Sequence, residues 1–412
     1  MSEKKLINRW IVVAGALLIQ MVLGAVYTWS LFNAPLVEKH GWDSGAIVFT
    51  FSITMATFAV FVLIAGRLQD KLGPKKIAVA GGLLAGLGVC LASQATSVTF
   101  LYLTYGFMTG AGMGAAYVTP VATCTKWFPD KRGFITGLTL AAVGLGGMLF
   151  TPMIIALINT FGVMTTFLYL GIGYGLAIII GAQALVVPPA GYKPPGWVPP
   201  KVDETKKVGV VQTQTNFTTT QMMKTPQFYL LFAMYFIGAS AGLMVISVAA
   251  DIGVTLANLD YATAGTAVVT ISLFNAAGRF GWGGISDKIG RVNSLLLMFT
   301  IMGCSMLYMS LISLSFISFL IVMCLVGLCF GGYLSIFPSV TADWFGTKFV
   351  GNNYGAVFMA YGVSSLTAPL FAATVGFQTA FITAAVLCAI ALVMAYFTKV
   401  PSTPAEEKSI PA

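Results

Sequence analysis

The stretch "GRLQDKLGPKK", residues 66–76, is echoed by "GGISDKIGR", residues 283–291. Asp70 and Asp287 stand 217 residues apart, and so do Trp127 in "KWFPDKR" and Trp344 in "DWFGTK". Gly110 with Gly327 and Gly114 with Gly331 keep that offset, while Gly137 with Gly355 and Gly144 with Gly362 sit at 218. An offset held over so many landmarks marks an internal duplication. The chain therefore reads as two related halves, each with a charged turn in the same place.

What lies between the turns is apolar. The 412 residues are 58% hydrophobic and 8% charged, against roughly 25% charged in soluble domains. A soluble fold of this size could not hide that much apolar surface. Twelve apolar runs of spanning length occur near 10–34, 46–69, 77–94, 98–124, 133–158, 162–187, 227–250, 262–284, 292–312, 315–340, 351–374 and 376–398, so an all-α membrane protein is predicted. Lys4, Lys5 and Arg9 precede the first run as they would in a signal peptide. No small-residue cleavage site followed by a polar mature domain comes after it, so it reads as a retained first helix. Residues 188–226, with "PPAGYKPPGWVPPKVDETKK" and "QTQTNFTTT", break the pattern as a proline-rich polar linker. The predicted organisation is a six-helix bundle over 1–187, a linker over 188–226, a second six-helix bundle over 227–399 and a tail over 400–412.

Charge sets the orientation. With twelve spans, 20 of the 22 Lys and Arg residues fall on one side, Lys39 and Arg279 being the exceptions. The positive-inside rule then places both termini in the cytoplasm. The net charge of +9 reports topology and anionic lipid, not a nucleic-acid partner. The six cysteines lie inside predicted helices with no metal spacing and read as reduced core residues. His40 lies in the first loop and reads as solvated. No metal or cofactor is expected. Without a catalytic triad, a metal cluster or a soluble output domain, the pattern argues against an enzyme or a sensor.

The exception inside the apolar runs is Arg279, in "SLFNAAGRFGWGG", residues 272–284. It precedes Asp287 by eight residues, about 12 Å along a helix, so its guanidinium reaches toward the midplane of the bilayer. Burying it costs roughly 2.5–3.5 kcal/mol on insertion scales. Ser272, Asn275 and Arg279 share one helix face, and that stripe should face a bundle interior. No Asp or Glu lies deep in any run. Asp251 and Asp260 sit at the outer ends of runs 7 and 8. The missing counter-charge points to a carboxylate substrate, whose two oxygens match the guanidinium fork.

The two turns resemble the loop between helices 2 and 3 of the major facilitator superfamily. Gly66, Asp70, Lys71, Gly73, Lys75 and Lys76 fit the first copy, and Gly283, Asp287, Lys288, Gly290 and Arg291 the second. The resemblance implies two six-helix bundles working by alternating access, with Gly66, Asp70, Gly283 and Asp287 as a gating motif at cytoplasmic helix ends. "KWFPDKRGFITGLTLAAVGLGG", residues 126–147, resembles the entry to helix 5 of monocarboxylate transporters. The same segments, with "SDKIGR" and "NNYG", also resemble the bacterial oxalate–formate antiporters. Both groups place a carboxylate-binding arginine where Arg279 stands. The antiporters carry a lysine six residues after the glycine of Asn-Tyr-Gly; here that residue is Tyr361, and one cation suits a monocarboxylate better than oxalate. Animal monocarboxylate transporters carry an acid where Asn275 stands and a lysine on helix 1, and this chain has neither.

A substrate pocket is expected to draw on Arg279 and Asn275, with Tyr27, Tyr117, Leu145, Tyr333, Phe337, Phe358 and Tyr361 as wall candidates. An anion moving alone works against an interior-negative potential at about 2.3 kcal/mol per 100 mV, so proton symport is expected. The carrier could be the substrate carboxylate, a water near Arg279, or Asp251. The function expected is uptake of a small monocarboxylate such as lactate or pyruvate with a proton; oxalate/formate-type exchange is the alternative. The setting expected is a bacterial inner membrane, with the lipid bilayer as partner and a monomer as the working unit.

Overall fold

The computed structural model describes residues 7–401 except 129, 190–191, 193, 195–215 and 347–348, and omits the side chains of Asp70 and Arg132. Most of the linker and tail, and the side chain of the proposed gate residue Asp70, lie outside the described residues. In chain order the helices are α1 (Arg9–Gly24), α2 (Ser30–His40), α3 (Ser44–Leu72), α4 (Pro74–Ala92), α5 (Val98–Leu101), α6 (Gly110–Trp127), α7 (Arg132–Phe161) and α8 (Val163–Gln183). There follow α9 (Thr219–Met223), α10 (Pro226–Ser247), α11 (Ala249–Leu256), α12 (Tyr261–Ala264), α13 (Thr266–Ile289), α14 (Arg291–Leu311), α15 (Phe316–Phe345), α16 (Val350–Val375) and α17 (Phe377–Phe397). A 3₁₀ turn, Ala25–Thr28, joins α1 to α2, and a π-helical segment, Tyr102–Thr109, joins α5 to α6.

Ten helices among the described residues are long and apolar enough to cross a membrane. They expose large apolar side chains such as Leu311, Ile317 and Phe397, a surface suited to hydrocarbon. Two further stretches are also helical over a comparable length. One is broken by the π segment, and the other is α13, made less apolar by its stripe.

Local chemistry starts and stops these helices. Asn8, Asp43, Thr225 and Ser315 cap the starts of α1, α3, α10 and α15 by accepting a backbone N–H. The repeated turns adopt one backbone shape: Gly73 has φ 86° and ψ 150°, and Gly290 has φ 90° and ψ 154°. A side chain is strained in that region, which explains glycine in both copies.

The Asp287 carboxylate pairs with Arg291 at 2.6 Å but is 63% exposed, a setting in which ion pairs contribute little. The tie between neighbouring helix ends is Arg291 to Asp343 at 2.9 Å, with both side chains largely buried. Arg291 thus links the Asp287 turn to the end of α15. Gly66 and Gly283 face open space.

Helices of the first half pack on one another, as α4 does on α8 and α3 on α6. Those of the second half do likewise, as α13 on α15 and α14 on α17. The two sets meet where α7 lies along α13 and where α3 lies along α16. His40 is half-buried rather than solvated, stacked on Trp42 at 4.1 Å with Nε2 3.5 Å from Met164 Sδ. Burial, and then the adjacent Lys39, lower its pKa. All six cysteines are free; Cys124, Cys329 and Cys388 are buried, but Cys304 is exposed rather than in the core.

Candidate functional site

Arg279 lies at the meeting of the two halves and is 3% exposed. Its own helix supplies the first partner: Nε donates to Asn275 Oδ1 at 2.8 Å, one turn back. The first half supplies two more. Nη1 donates to the Leu140 carbonyl oxygen on α7 at 3.2 Å, and Nη2 to the Tyr27 hydroxyl at 3.0 Å. Tyr117, Tyr235 and Tyr361 stand within its electrostatic reach. A guanidinium has five N–H donors; with the Tyr117 hydroxyl also within bonding reach, one is left for another acceptor. Among the described residues the ion pairs lie at the helix ends bearing the basic loops, and none involves Arg279.

The stripe expected on α13 is buried as a unit, with Ser272 at 1% and Asn275 at 0% exposure. Because Asn275 Oδ1 holds Arg279, its Nδ2 is left buried without a partner among the described residues, as is Ser272 Oγ. Buried polar groups in that state are costly, and both sit on the cation's helix face. Close backbone contact makes the face possible: a Cβ on Gly331 of α15 would fall 2.0 Å from the Asn275 carbonyl oxygen.

Beside the guanidinium is a cavity of about 20 Å³ lined in part by Leu23, Tyr27, Met55, Tyr117, Val143 and Tyr361. That holds about one water and is too small for a three-carbon acid. Tyr27, Tyr117, Phe358 and Tyr361 from the expected set meet Arg279 here. Tyr361 stacks on Phe358 at 5.0 Å and donates to Met55 Sδ at 3.4 Å. Leu145 is not in this lining; Val143, two residues earlier, takes its place. Phe337 is buried against Tyr235, ring centroids 4.3 Å apart. Tyr333 packs on Phe299 and against Gly238, with its hydroxyl buried and unpartnered among the described residues. The structure does not bring Tyr333 or Phe337 to the guanidinium.

Sequence reasoning missed Met55, Leu23, Val143 and Phe330, whose ring meets both Tyr27 and Tyr361. Ordinary apolar residues in apolar runs carry no signal of their own. Tyr333→Phe is expected to leave the apparent substrate affinity unchanged and to hold or raise the melting temperature, since it removes an unpaired buried hydroxyl. Tyr27→Phe removes a partner of the guanidinium and should weaken uptake several-fold. Paired transport and melting assays would check both.

The family profile of the Major Facilitator Superfamily matches residues 12–257 and again 228–412. An uncharacterized MFS-type transporter of Escherichia coli, YhjX, is 32% identical over 359 residues, 87% of this chain and 86% of that one. The oxalate:formate antiporter of Oxalobacter formigenes is 30% identical over 399 residues, 95% of this chain and 91% of that one. Monocarboxylate transporter 13 of the rat is 31% identical over 153 residues, 37% of this chain and 36% of that one. With the profile covering both halves, and a buried cation where they meet, the chain belongs to the major facilitator superfamily.

Proposed function

We propose that this protein is a secondary transporter of small monocarboxylates such as lactate or pyruvate, working by proton symport. The observation that carries this reading is Arg279: a buried cation between the halves, without an acid among its described partners, with a guanidinium N–H group, Asn275 Nδ2 and Ser272 Oγ left over. A carboxylate accepts from the guanidinium fork, and a neighbouring hydroxyl or keto oxygen suits the Asn275 amide. Once the halves part, the tyrosines and aliphatic side chains beside the guanidinium would wall in a short apolar tail.

Twelve spans in two six-helix bundles, with both termini and the linker on the cytoplasmic side, complete the proposal. The setting is a bacterial inner membrane, and the unit is the monomer. The end bearing the basic loops is then the inner one, and the contacts of α2 with α11 lie at the outer mouth. With the cavity so small, substrate enters only when the halves part and exchanges for the Tyr27 and Leu140 bonds to Arg279. Among charged carriers, Asp251 is the candidate for the proton.

The alternative is anion exchange of the oxalate/formate type, favoured by the likeness to the Oxalobacter antiporter over 95% of this chain. Uptake of labelled lactate into liposomes under an imposed pH gradient tests symport. Counterflow of oxalate against formate without a gradient would replace it by exchange. Asn275→Leu is expected to abolish most of the lactate-dependent rise in melting temperature while the empty protein melts within a few degrees of the unaltered one. A full ligand shift in that variant would remove Asn275 from the site.

A further inference from the structure

At the end of the molecule opposite the basic loops, Asn33 of α2 reaches from the first half into the second. Its Nδ2 donates to the Ser247 carbonyl oxygen at 3.1 Å and to Asp251 Oδ2 at 2.8 Å. Beside it the Tyr261 hydroxyl donates to the Leu31 carbonyl oxygen. Asn33 is 1% exposed, and its Oδ1 is buried without a partner among the described residues. A backbone carbonyl only accepts, so the Ser247 contact fixes which amide atom is nitrogen. A carboxylate also only accepts. The pair therefore meets through one hydrogen bond and leaves a buried acceptor idle.

A proton on Asp251 changes both facts. The acid gains an O–H, the donor that Asn33 Oδ1 lacks. Acid and amide can then close head to head through two hydrogen bonds, with no net charge left in the buried contact. We propose that Asn33 and Asp251 form a proton-set latch across the outer mouth, engaged when the acid is protonated and loosened when it is ionised. This rests on the symport reading above and says where the proton acts on the conformational cycle.

The electrostatics agree with the geometry. Burial raises the Asp251 carboxyl to about 6, the Asn33 bond opposing only part of the shift. The groups facing it are Asn33 from α2 and the Tyr261 phenol from α12. The neighbouring end of α10 contributes the Ser247 carbonyl. On α2 the charged or titratable residues, Glu38, Lys39 and His40, begin five positions beyond Asn33, and on α13 the first is Arg279, deep in the helix. In an open mouth the acid is solvated and titrates near its ordinary value of about 3.9. The closed state thus binds the proton more tightly. By linkage, closure is favoured as pH falls through about 6 and is lost above it, by up to ~100-fold in the closed-to-open ratio.

Spin labels at Lys39→Cys and Thr255→Cys, both exposed positions, would report the mouth by pulsed EPR in liposomes, with the native cysteines replaced. The short-distance population is expected to grow from pH 8 to pH 5. Asp251→Asn supplies a neutral amide that both donates and accepts, so it should hold the closed distance at both pH values. Asn33→Leu should weaken closure at both. An unchanged distribution between the two pH values without either latch substitution, or a pH response that survives Asp251→Asn, would overturn the latch. Uptake measured in parallel separates the two readings. Labels that respond while uptake ignores the proton gradient support the latch and remove symport. Proton-driven uptake with unresponsive labels removes the latch and leaves symport standing.

Discussion

Arg279→Ala is expected to lower carboxylate uptake by ~10²- to 10³-fold, the loss that follows removal of one member of a buried, hydrogen-bonded charge pair. The empty protein should melt close to the unaltered one, because the cost of burying the cation disappears together with its bonds to Asn275, Leu140 and Tyr27. The ligand-dependent melting shift, by contrast, should vanish. Arg279→Lys keeps the charge but loses the planar fork, so its uptake should fall between the two. A protein without the guanidinium that still shows the full ligand shift would mean the carboxylate binds elsewhere. A protein that no longer folds would mark the guanidinium as a structural strut.

Gly144→Ala carries the second large effect. A Cβ there would lie 2.5 Å from the Ala276 backbone nitrogen and 2.7 Å from its Cα. Backbone atoms cannot swing aside as a flexible side-chain tip can, so α7 and α13 would have to separate. Gly144 belongs to the first half and Ala276 to the second, which leaves the packing inside each half untouched. The variant is therefore expected to fold and to lose at least ~90% of its transport rate, because the conformation in which these helices touch is depleted. Helical content and elution as a single species would establish folding, and initial uptake rates the loss. Wild-type rates would show that the contact between α7 and α13 is not needed for turnover.

The parts of this molecule legible in sequence were those that break a rule. Arg279 stands out because a cation in an apolar run is rare. Ser272 and Asn275 follow from helical spacing, and the structure buries all three together. The positive-φ turns at Gly73 and Gly290 were visible as repeated motifs. Spacing told less about helices with polar or aromatic residues on several faces. Tyr333 and Phe337 share a face of α15, but spacing alone does not say which face meets the cation. Gly331 decides it: this glycine abuts Asn275, while Gly332 abuts Trp282 and Met298, and Tyr333 turns toward Phe299. Asn33 was a polar residue near the end of an apolar run. Its partner, 218 residues away, could be found only once the chain was folded.

The 3₁₀ turn at Ala25–Thr28 gives the first span a property its sequence does not advertise. It carries Tyr27, which holds the central guanidinium, and leads within six residues to Asn33, which holds Asp251. Six residues of helix are about 9 Å, so the two grips belong to a single short lever. A carboxylate that unseats the tyrosine would tug on the same rod that grips the distant acid. Cargo and proton could thereby sense each other mechanically, with no wire of ionisable groups strung between them.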